Sequence, residues 1–487
     1  MEVAFSVGGS LIVQRLPSVH CKEDVAMDLV RQIERLRIKS FYRLLVERLG
    51  EQAWEKRKAA YEARVREKED NLNLALPIEL QLFEPEDGDV DWYILACEQA
   101  YDVQQSDSAY SSKRVYPYAM AIGSVAEQVR NIPNVGGVLD KMLANNNQPD
   151  TQLFELLTAA FYLKNGYQVS FLPEMSITWP DGKTKKTPDL LVKAGDASFY
   201  VECKRAAHQT RHSLEERQAW ARIWARLSLH LLKVAPWSIV DVTFHDQVGQ
   251  ASIEDVIKVV DVVLEKGAGQ AKIGSISVEL RWVDRGPLER HYRRFSVRPN
   301  CPQHESLVFG DVDSNEKRSI ATIAGGIVRA GPPDSILNIF VENVANCVAA
   351  QWRCDYEVSL GLRSKHFKSL INDAVTQIPP DKPGVIHVFY ETRDGIAIEE
   401  MRRAKNIDNI ANYDASGTTV AGVLVHAVNY YPLESGYQWA ETTQDFARVP
   451  DLMDLYPRQT LMLSSGTTRE VEGDTHWGQD KDSKKPH

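Results

Sequence analysis

Two stretches of alternating apolar and polar residues stand out along the chain. Lys186-Thr187-Pro188-Asp189-Leu190-Leu191-Val192-Lys193 and Ser198-Phe199-Tyr200-Val201-Glu202-Cys203-Lys204-Arg205 read as strands joined by a tight turn. Gly195-Asp196 supplies a two-residue turn whose first position tolerates positive φ. Counting outward pairs 194 with 197 and 193 with 198, and so sets Asp189 opposite Glu202. Directly opposed residues have Cβ atoms about 4.5–5.5 Å apart, and like charges there repel. Period-two alternation puts Lys204 on the face of Glu202. Two facing carboxylates beside one lysine form an unfavourable surface unless a cation sits between them. A hard divalent ion such as Mg²⁺ suits them, with Mn²⁺ as a substitute. An acid-x-lysine triplet alone is more often a salt bridge. The apolar run Leu190–Val192 argues that these acids sit on a core hairpin.

Elsewhere the pattern is mainly helical before the hairpin and mixed after it. Residues 3–13 read as a short hairpin, and residues 23–70 and 92–150 as helices. Gln152 to Lys164 has helical composition and ends at Asn165-Gly166, an αL-tolerant pair. Tyr167 to Leu172 alternates as a strand. From Leu214 onward a helix sets Trp220, Ile223, Trp224, Leu227 and Leu231 on one face, with Arg222, Arg226 and Lys233 opposite. Ile273 to Val283 alternates as a strand and Ile336 to Val341 reads as a buried one. Lys365–Ile378, Gly384–Tyr390, Ile396–Ala411 and Thr418–Val428 then read helix, strand, helix, strand. The tail from Ser464 to His487 is polar and reads as disordered.

The arrangement around the hairpin resembles the PD-(D/E)xK nuclease superfamily. Its signature is matched by Pro188-Asp189 followed by Glu202-Cys203-Lys204, after a helix bearing Glu155 and a strand. The resemblance covers roughly residues 150 to 245. It implies a restriction-endonuclease-like fold: an α/β mixed sheet flanked by helices, here with a helical N-terminal region and an additional α/β C-terminal region. The expected organisation is a mostly helical region over 1–110, the nuclease core over 111–245, an inserted or linking α/β region over 246–360, an α/β region over 361–463 that could complete the sheet, and the tail over 464–487. The resemblance implies Glu155, Asp189, Glu202 and Lys204 as catalytic residues. Asp189, Glu202 and the Cys203 carbonyl are the implied metal ligands, with Lys204 orienting the attacking water. The helix with Asp373 and Gln377 resembles a second core helix of the superfamily, in which a glutamine approaches the site. Glu155 has a plainer reading as a first-turn acid favouring the helix dipole. Cys203 reads as a small inward apolar residue.

Composition then narrows the partners. The 487 residues are 43% hydrophobic and 25% charged, as in ordinary soluble globular chains, and suffice for several domains. The net charge of −10 excludes a basic nucleic-acid coat, so nucleic-acid binding needs a local patch. Residues 203–233 hold seven Lys and Arg against Glu215 and Glu216. Arg205, Arg211, Arg222 and Arg226 are therefore the expected phosphate contacts. His208, His212 and His230 share no helical spacing and predict no zinc site. The six cysteines include no CxxC pair, which fits a reducing cytoplasm. Met1-Glu2-Val3-Ala4 lacks a basic stretch before an apolar core, so no signal peptide is expected, and no apolar run predicts a membrane span. No Walker-type loop appears. The expected activity is metal-dependent cleavage of nucleic acid, DNA first, with a role in defence against foreign DNA by analogy. The alternatives are RNA cleavage by the same residues, or a non-catalytic nucleic-acid or protein-interaction module. A homodimer or a partner protein is compatible with this reading.

Overall fold

The computed structural model describes residues 3–7, 10–14, 22–86, 88–101, 114–144, 149–180, 182, 184–206, 210–267, 269–313, 317–330, 336–364, 368–413, 417–433, 436–447, 457, 459–463, 468–469 and 475–483. The order is β1 (Val3–Val7), β2 (Ser10–Gln14), α1 (Lys22–Leu49), α2 (Glu51–Glu69), α3 (Val90–Tyr101), α4 (Val115–Gly123), α5 (Ala126–Arg130), α6 (Val135–Leu143), α7 (Pro149–Lys164), β3 (Gln168–Phe171), β4 (Leu190–Ala194) and β5 (Ala197–Arg205). There follow α8 (Arg211–Val234), β6 (Ser238–Phe244), α9 (Ile253–Lys266), β7 (Gln270–Ile273), β8 (Ile276–Trp282), α10 (Arg285–Tyr292), α11 (Pro302–Phe309), β9 (Arg318–Arg329) and β10 (Ile339–Cys354). The chain closes with α12 (Glu357–Arg363), α13 (Lys368–Val375), β11 (Gly384–Glu391), α14 (Ile396–Ala411), β12 (Val420–Leu433), β13 (Gly436–Ala447), β14 (Thr468–Arg469) and α15 (His476–Ser483).

Two mixed sheets flanked by helices organise the described residues. The larger has the order β14-β13-β12-β11-β5-β4-β3, and the smaller β7-β8-β6-β10-β9. The large sheet takes strands from both sides of the small one in sequence, because β5 pairs in parallel with β11 and β11 with β12. All eight residues of β11 are buried, the apolar texture of a strand covered on both faces. Gly384 opens β11 where a Cβ would meet Ile378 Cγ2 at 2.4 Å, so only glycine lets the approach from α13 pass beneath it.

One face of the large sheet packs against the N-terminal helices, with Phe199, Val201, Cys203 and Phe389 meeting Leu153, Phe154, Leu157 and Phe161 of α7. The other face packs Tyr200, Ile386 and Val388 against Ile371 and Ala374 of α13 and Trp477 of α15. In the small sheet, Val240, Val242 and Trp352 receive the apolar face of α8, including Trp220, Ile223, Trp224 and Leu227. Thr210 caps α8 by accepting from the Ser213 N–H at 3.0 Å.

The helix α7 is buried nearly all round, Thr158, Ala159 and Tyr162 included, because α4, α5 and α6 pack on it besides the sheet. The strand β6 lies at the centre of the small sheet, and α8 packs there. Two expectations change here. Lys186 to Asp189 precede β4 instead of belonging to it. The tail expected to be disordered contains β14 and α15, and α15 buries His476 and Trp477; Thr392 and Thr442 both hydrogen-bond the His476 ring. Residues 464–467, 470–474 and 484–487 lie outside the described residues.

Candidate active site

The hairpin forms around Gly195, whose φ of +62° suits the turn. Ala194 pairs with Ala197 and Leu190 with Val201, where the ladder ends; Asp189 lies one residue before β4. Tyr200 faces the α13 side, so alternation along β5 puts Glu202 and Lys204 on that face too. The β5 amides of Tyr200 and Ala206 donate to Pro383 and Phe389, towards β11. The odd-numbered Cys203 therefore presents its N–H and C=O to the opposite edge, where Asp189 stands. Its N–H donates to Asp189 Oδ2 at 2.7 Å. Asp189 is itself anchored, its carbonyl accepting from the Leu172 N–H at 3.0 Å.

Glu202 is 1% exposed. Its Oε1 lies 2.7 Å from Lys204 Nζ, and its buried Oε2 has no hydrogen-bond partner within the protein. Burial, and then the Asp189 charge, raise Glu202 well above the usual carboxylate range. Burial opposes the charged form of Lys204, but Glu202 and Asp373 outweigh it and hold the ammonium protonated. Glu155 is half-buried, and desolvation with the nearby Asp189 charge pushes it up to about 8. Because α7 starts at Pro149, Glu155 stands in its second turn, beyond the strongest reach of the helix dipole. Three acids and one lysine from the hairpin and α7 are thus brought together electrostatically.

The sequence names Asp373 only as part of its helix, with no role at the site. Its Oδ2 sits 2.6 Å from Lys204 Nζ, and Gln377 Nε2 donates to that oxygen at 2.9 Å. α13 therefore meets Lys204 through Asp373, with Gln377 one contact behind. Cys203 turns its thiol into the α7 face, where burial raises its pKa; its side chain is a core residue and only its backbone meets Asp189.

Arg205 is corrected. Alternation sends it to the α7 face, where its guanidinium reaches Asp150 at 2.9 Å and Glu391 at 3.2 Å. Arg114 joins the same acids at 3.3 and 2.8 Å. This buried network fixes the start of α7 to the ends of β5 and β11, and Arg205 is not a surface phosphate contact. Arg211, Arg222 and Arg226 are exposed, with Arg211 pairing Glu215 at 2.8 Å and Arg226 pairing Glu254 at 3.4 Å. His208 lies outside the described residues. His212 contacts Ser359 and His230 contacts Asp261, so they do not share a site.

A second polar thread holds α7 to the sheet. Tyr162 Oη lies 2.8 Å from His387 Nε2, His387 Nδ1 lies 3.0 Å from His426 Nε2, and His426 Nδ1 lies 2.9 Å from Thr443 Oγ1.

Among the described residues no group of three or more His, Cys, Asp or Glu side chains is placed to hold a metal ion. Two carboxylates, one with an unpartnered buried oxygen, and one backbone carbonyl suit a hard cation that keeps several of its waters. They do not suit zinc. Among the described residues no helix is long and apolar enough to cross a membrane. No family model, curated protein or solved structure matches the chain.

Proposed function

We propose that the chain is a Mg²⁺-dependent nuclease of restriction-endonuclease-like fold, acting on DNA. The observation that carries this reading is the Glu202–Lys204 pair on one face of β5, with Glu202 buried and one of its oxygens unpartnered, beside the Asp189 carboxylate held by the Cys203 N–H. Asp189, Glu202 and the Cys203 carbonyl would hold the ion. When bound, the ion lowers the pKa of a water and neutralises charge on the phosphate. The protein residues do the remainder. Lys204, held protonated between Glu202 and Asp373, orients the attacking water by donating to it and keeps positive charge at the phosphate. Glu155 accepts hydrogen bonds from water on the α7 side once its carboxyl has lost its proton. The ion pair to Asp373 fixes the Lys204 ammonium before substrate arrives, which limits reorganisation during the reaction.

The test is incubation with supercoiled plasmid, linear duplex, single-stranded DNA and RNA, each with Mg²⁺, Mn²⁺ or EDTA. The reading expects DNA cleavage with either ion and none with EDTA. RNA cleavage in place of DNA cleavage would move the assignment to a ribonuclease, and no cleavage of any substrate would leave a non-catalytic module.

A further inference from the structure

The small sheet carries chemistry of its own, on the face turned away from α8. Val240, Val242 and Phe244 of β6, Ile276 and Val278 of β8, and Trp352 and Cys354 of β10 pack with α8 and α9. Alternation sends Thr243, Ser277 and Arg353 to the opposite face. The register sets Lys272, Ser277, Thr243 and Arg353 side by side across β7, β8, β6 and β10. His245 follows β6 and Asp355 follows β10 at the same end of the sheet. Their backbones are fixed, the His245 N–H donating to the Ser275 carbonyl at 2.8 Å and the Asp355 N–H to the Phe244 carbonyl at 3.0 Å.

These three neighbouring strands bring a serine, a histidine and an aspartate into one line. His245 Nδ1 lies 2.9 Å from Asp355 Oδ1 and 3.0 Å from Oδ2, and His245 Nε2 lies 2.7 Å from Ser277 Oγ. A carboxylate only accepts, so Nδ1 carries the ring proton and Nε2 accepts from the serine hydroxyl. Ser277 also lines the wall of an open groove of about 400 Å³. A hydroxyl, a base within hydrogen-bond reach and a group that orients the base are the parts of an activated nucleophile.

We propose that Ser277, His245 and Asp355 form a second active site, which hydrolyses short, polar carboxylic esters. Ser277 Oγ attacks the acyl carbon while His245 Nε2 takes the hydroxyl proton. That proton passes to the alcohol oxygen as the C–O bond breaks, and the acyl group stays on Ser277. Water then attacks the acyl carbon and gives a proton to His245, which returns it to Ser277 Oγ as the carboxylic acid leaves. Asp355 is a positioning residue, holding the Nδ1–H tautomer. Lys272, directly opposite Ser277, and Arg353, whose Nε donates to Thr243 Oγ1 at 2.8 Å, add positive charge for the oxyanion. Gln270 and Glu279 complete a polar wall, which suits a short polar acyl group rather than a long alkyl chain.

Reaction of the intact chain with a short-chain fluorophosphonate, the label located by peptide mass, and hydrolysis of p-nitrophenyl acetate test this site. Ser277 should be phosphonylated with loss of fluoride, and Ser275→Ala should label as wild type does. Ser277→Ala should lose the label and all hydrolysis above the buffer rate, and His245→Gln should lose both as well. Asp355→Asn presents a donor to Nδ1 and inverts the tautomer, so kcat should fall by up to about 10⁴ with KM little changed. A wild type that leaves Ser277 unlabelled or the ester intact would overturn the proposal, and this is read without any variant. Labelling undiminished in His245→Gln, hydrolysis surviving in Ser277→Ala, or wild-type kcat in Asp355→Asn would overturn it too.

Discussion

Each sheet brings two carboxylates close together. In the small sheet Asp241 stands opposite Glu279 across an antiparallel ladder; in the large sheet Asp189, just before β4, accepts from the N–H of Cys203, the residue after Glu202. Both pairs repel, and their surroundings separate them. Asp241 is half-buried with Arg281 at 3.6 Å, while Glu279 is exposed. Both line an open groove of about 400 Å³ that also carries Lys272, Thr243, Ser277 and Arg353. Water and arginines screen that pair. Glu202 is buried, its ion pair is to Lys204, and its other oxygen has no partner within the protein. Opposed acids acquire chemistry through enclosure, which keeps their charge concentrated and their pKa values displaced.

The sharpest contrast is catalytic. Glu202→Gln and Lys204→Ala should each lower kcat/KM for DNA by at least about a thousandfold, more than the 10–100-fold that an outer-shell partner costs. Asp241→Asn and Glu279→Gln should retain wild-type rates in the same assay. Equal losses at both pairs would dissolve the distinction. Asp189 is better replaced by Asn than by Ala, since Ala strands the buried Cys203 N–H at a cost of about 1–3 kcal/mol.

Enclosed charge should also govern stability. Arg205→Ala leaves Asp150 and Glu391 short of a buried partner and should destabilise by about 3–5 kcal/mol in urea unfolding. Replacing Arg222 and Arg226 together by Ala should change stability by under about 0.5 kcal/mol.

The acids add a pH signature. Glu155 rises from 4.5 to about 8 on folding, so between those values the native state holds more protons than the unfolded chain. This group's contribution is fully favourable below pH 4.5 and declines as pH rises towards 8. Thermal unfolding without divalent ions should show that decline, and Glu155→Gln should flatten it. Mg²⁺ at a hundred times its Kd should restore about 2.7 kcal/mol near pH 8 in wild type.

How much of this was legible in the chain varies by residue. Gly195-Asp196 and period-two alternation fixed the hairpin, because a tight turn sets register locally. The burial of Arg205 was legible by the same rule: if Glu202 and Lys204 share one face, Cys203 and Arg205 share the other. The reading of Arg205 as a phosphate contact followed charge count and overlooked alternation. Asp373 could not be placed, since its partner Lys204 lies across a sheet-to-sheet excursion and nothing local links them. Nothing in the apolar run of β6 says which sheet it joins; only its partners β8 and β10 decide. The all-round burial of α7 depends on α4, α5 and α6, which no pattern within α7 reveals.

The weakest expected effect concerns α8. Its exposed arginines lie on a helix packed against the small sheet, so the Arg222→Ala/Arg226→Ala variant should reduce the salt slope of DNA binding by less than the roughly 1.8 expected if both met phosphate. A full reduction would extend the nucleic-acid surface onto the small sheet.

Calorimetric titration of Mn²⁺ tests the central claim most directly, because it reads the ion without substrate. Wild type and Asp241→Asn should bind the ion at a common site with matching affinity, and Glu202→Gln should lose that site. Undiminished binding in Glu202→Gln, loss of the site in Asp241→Asn, or no binding in wild type would contradict the account.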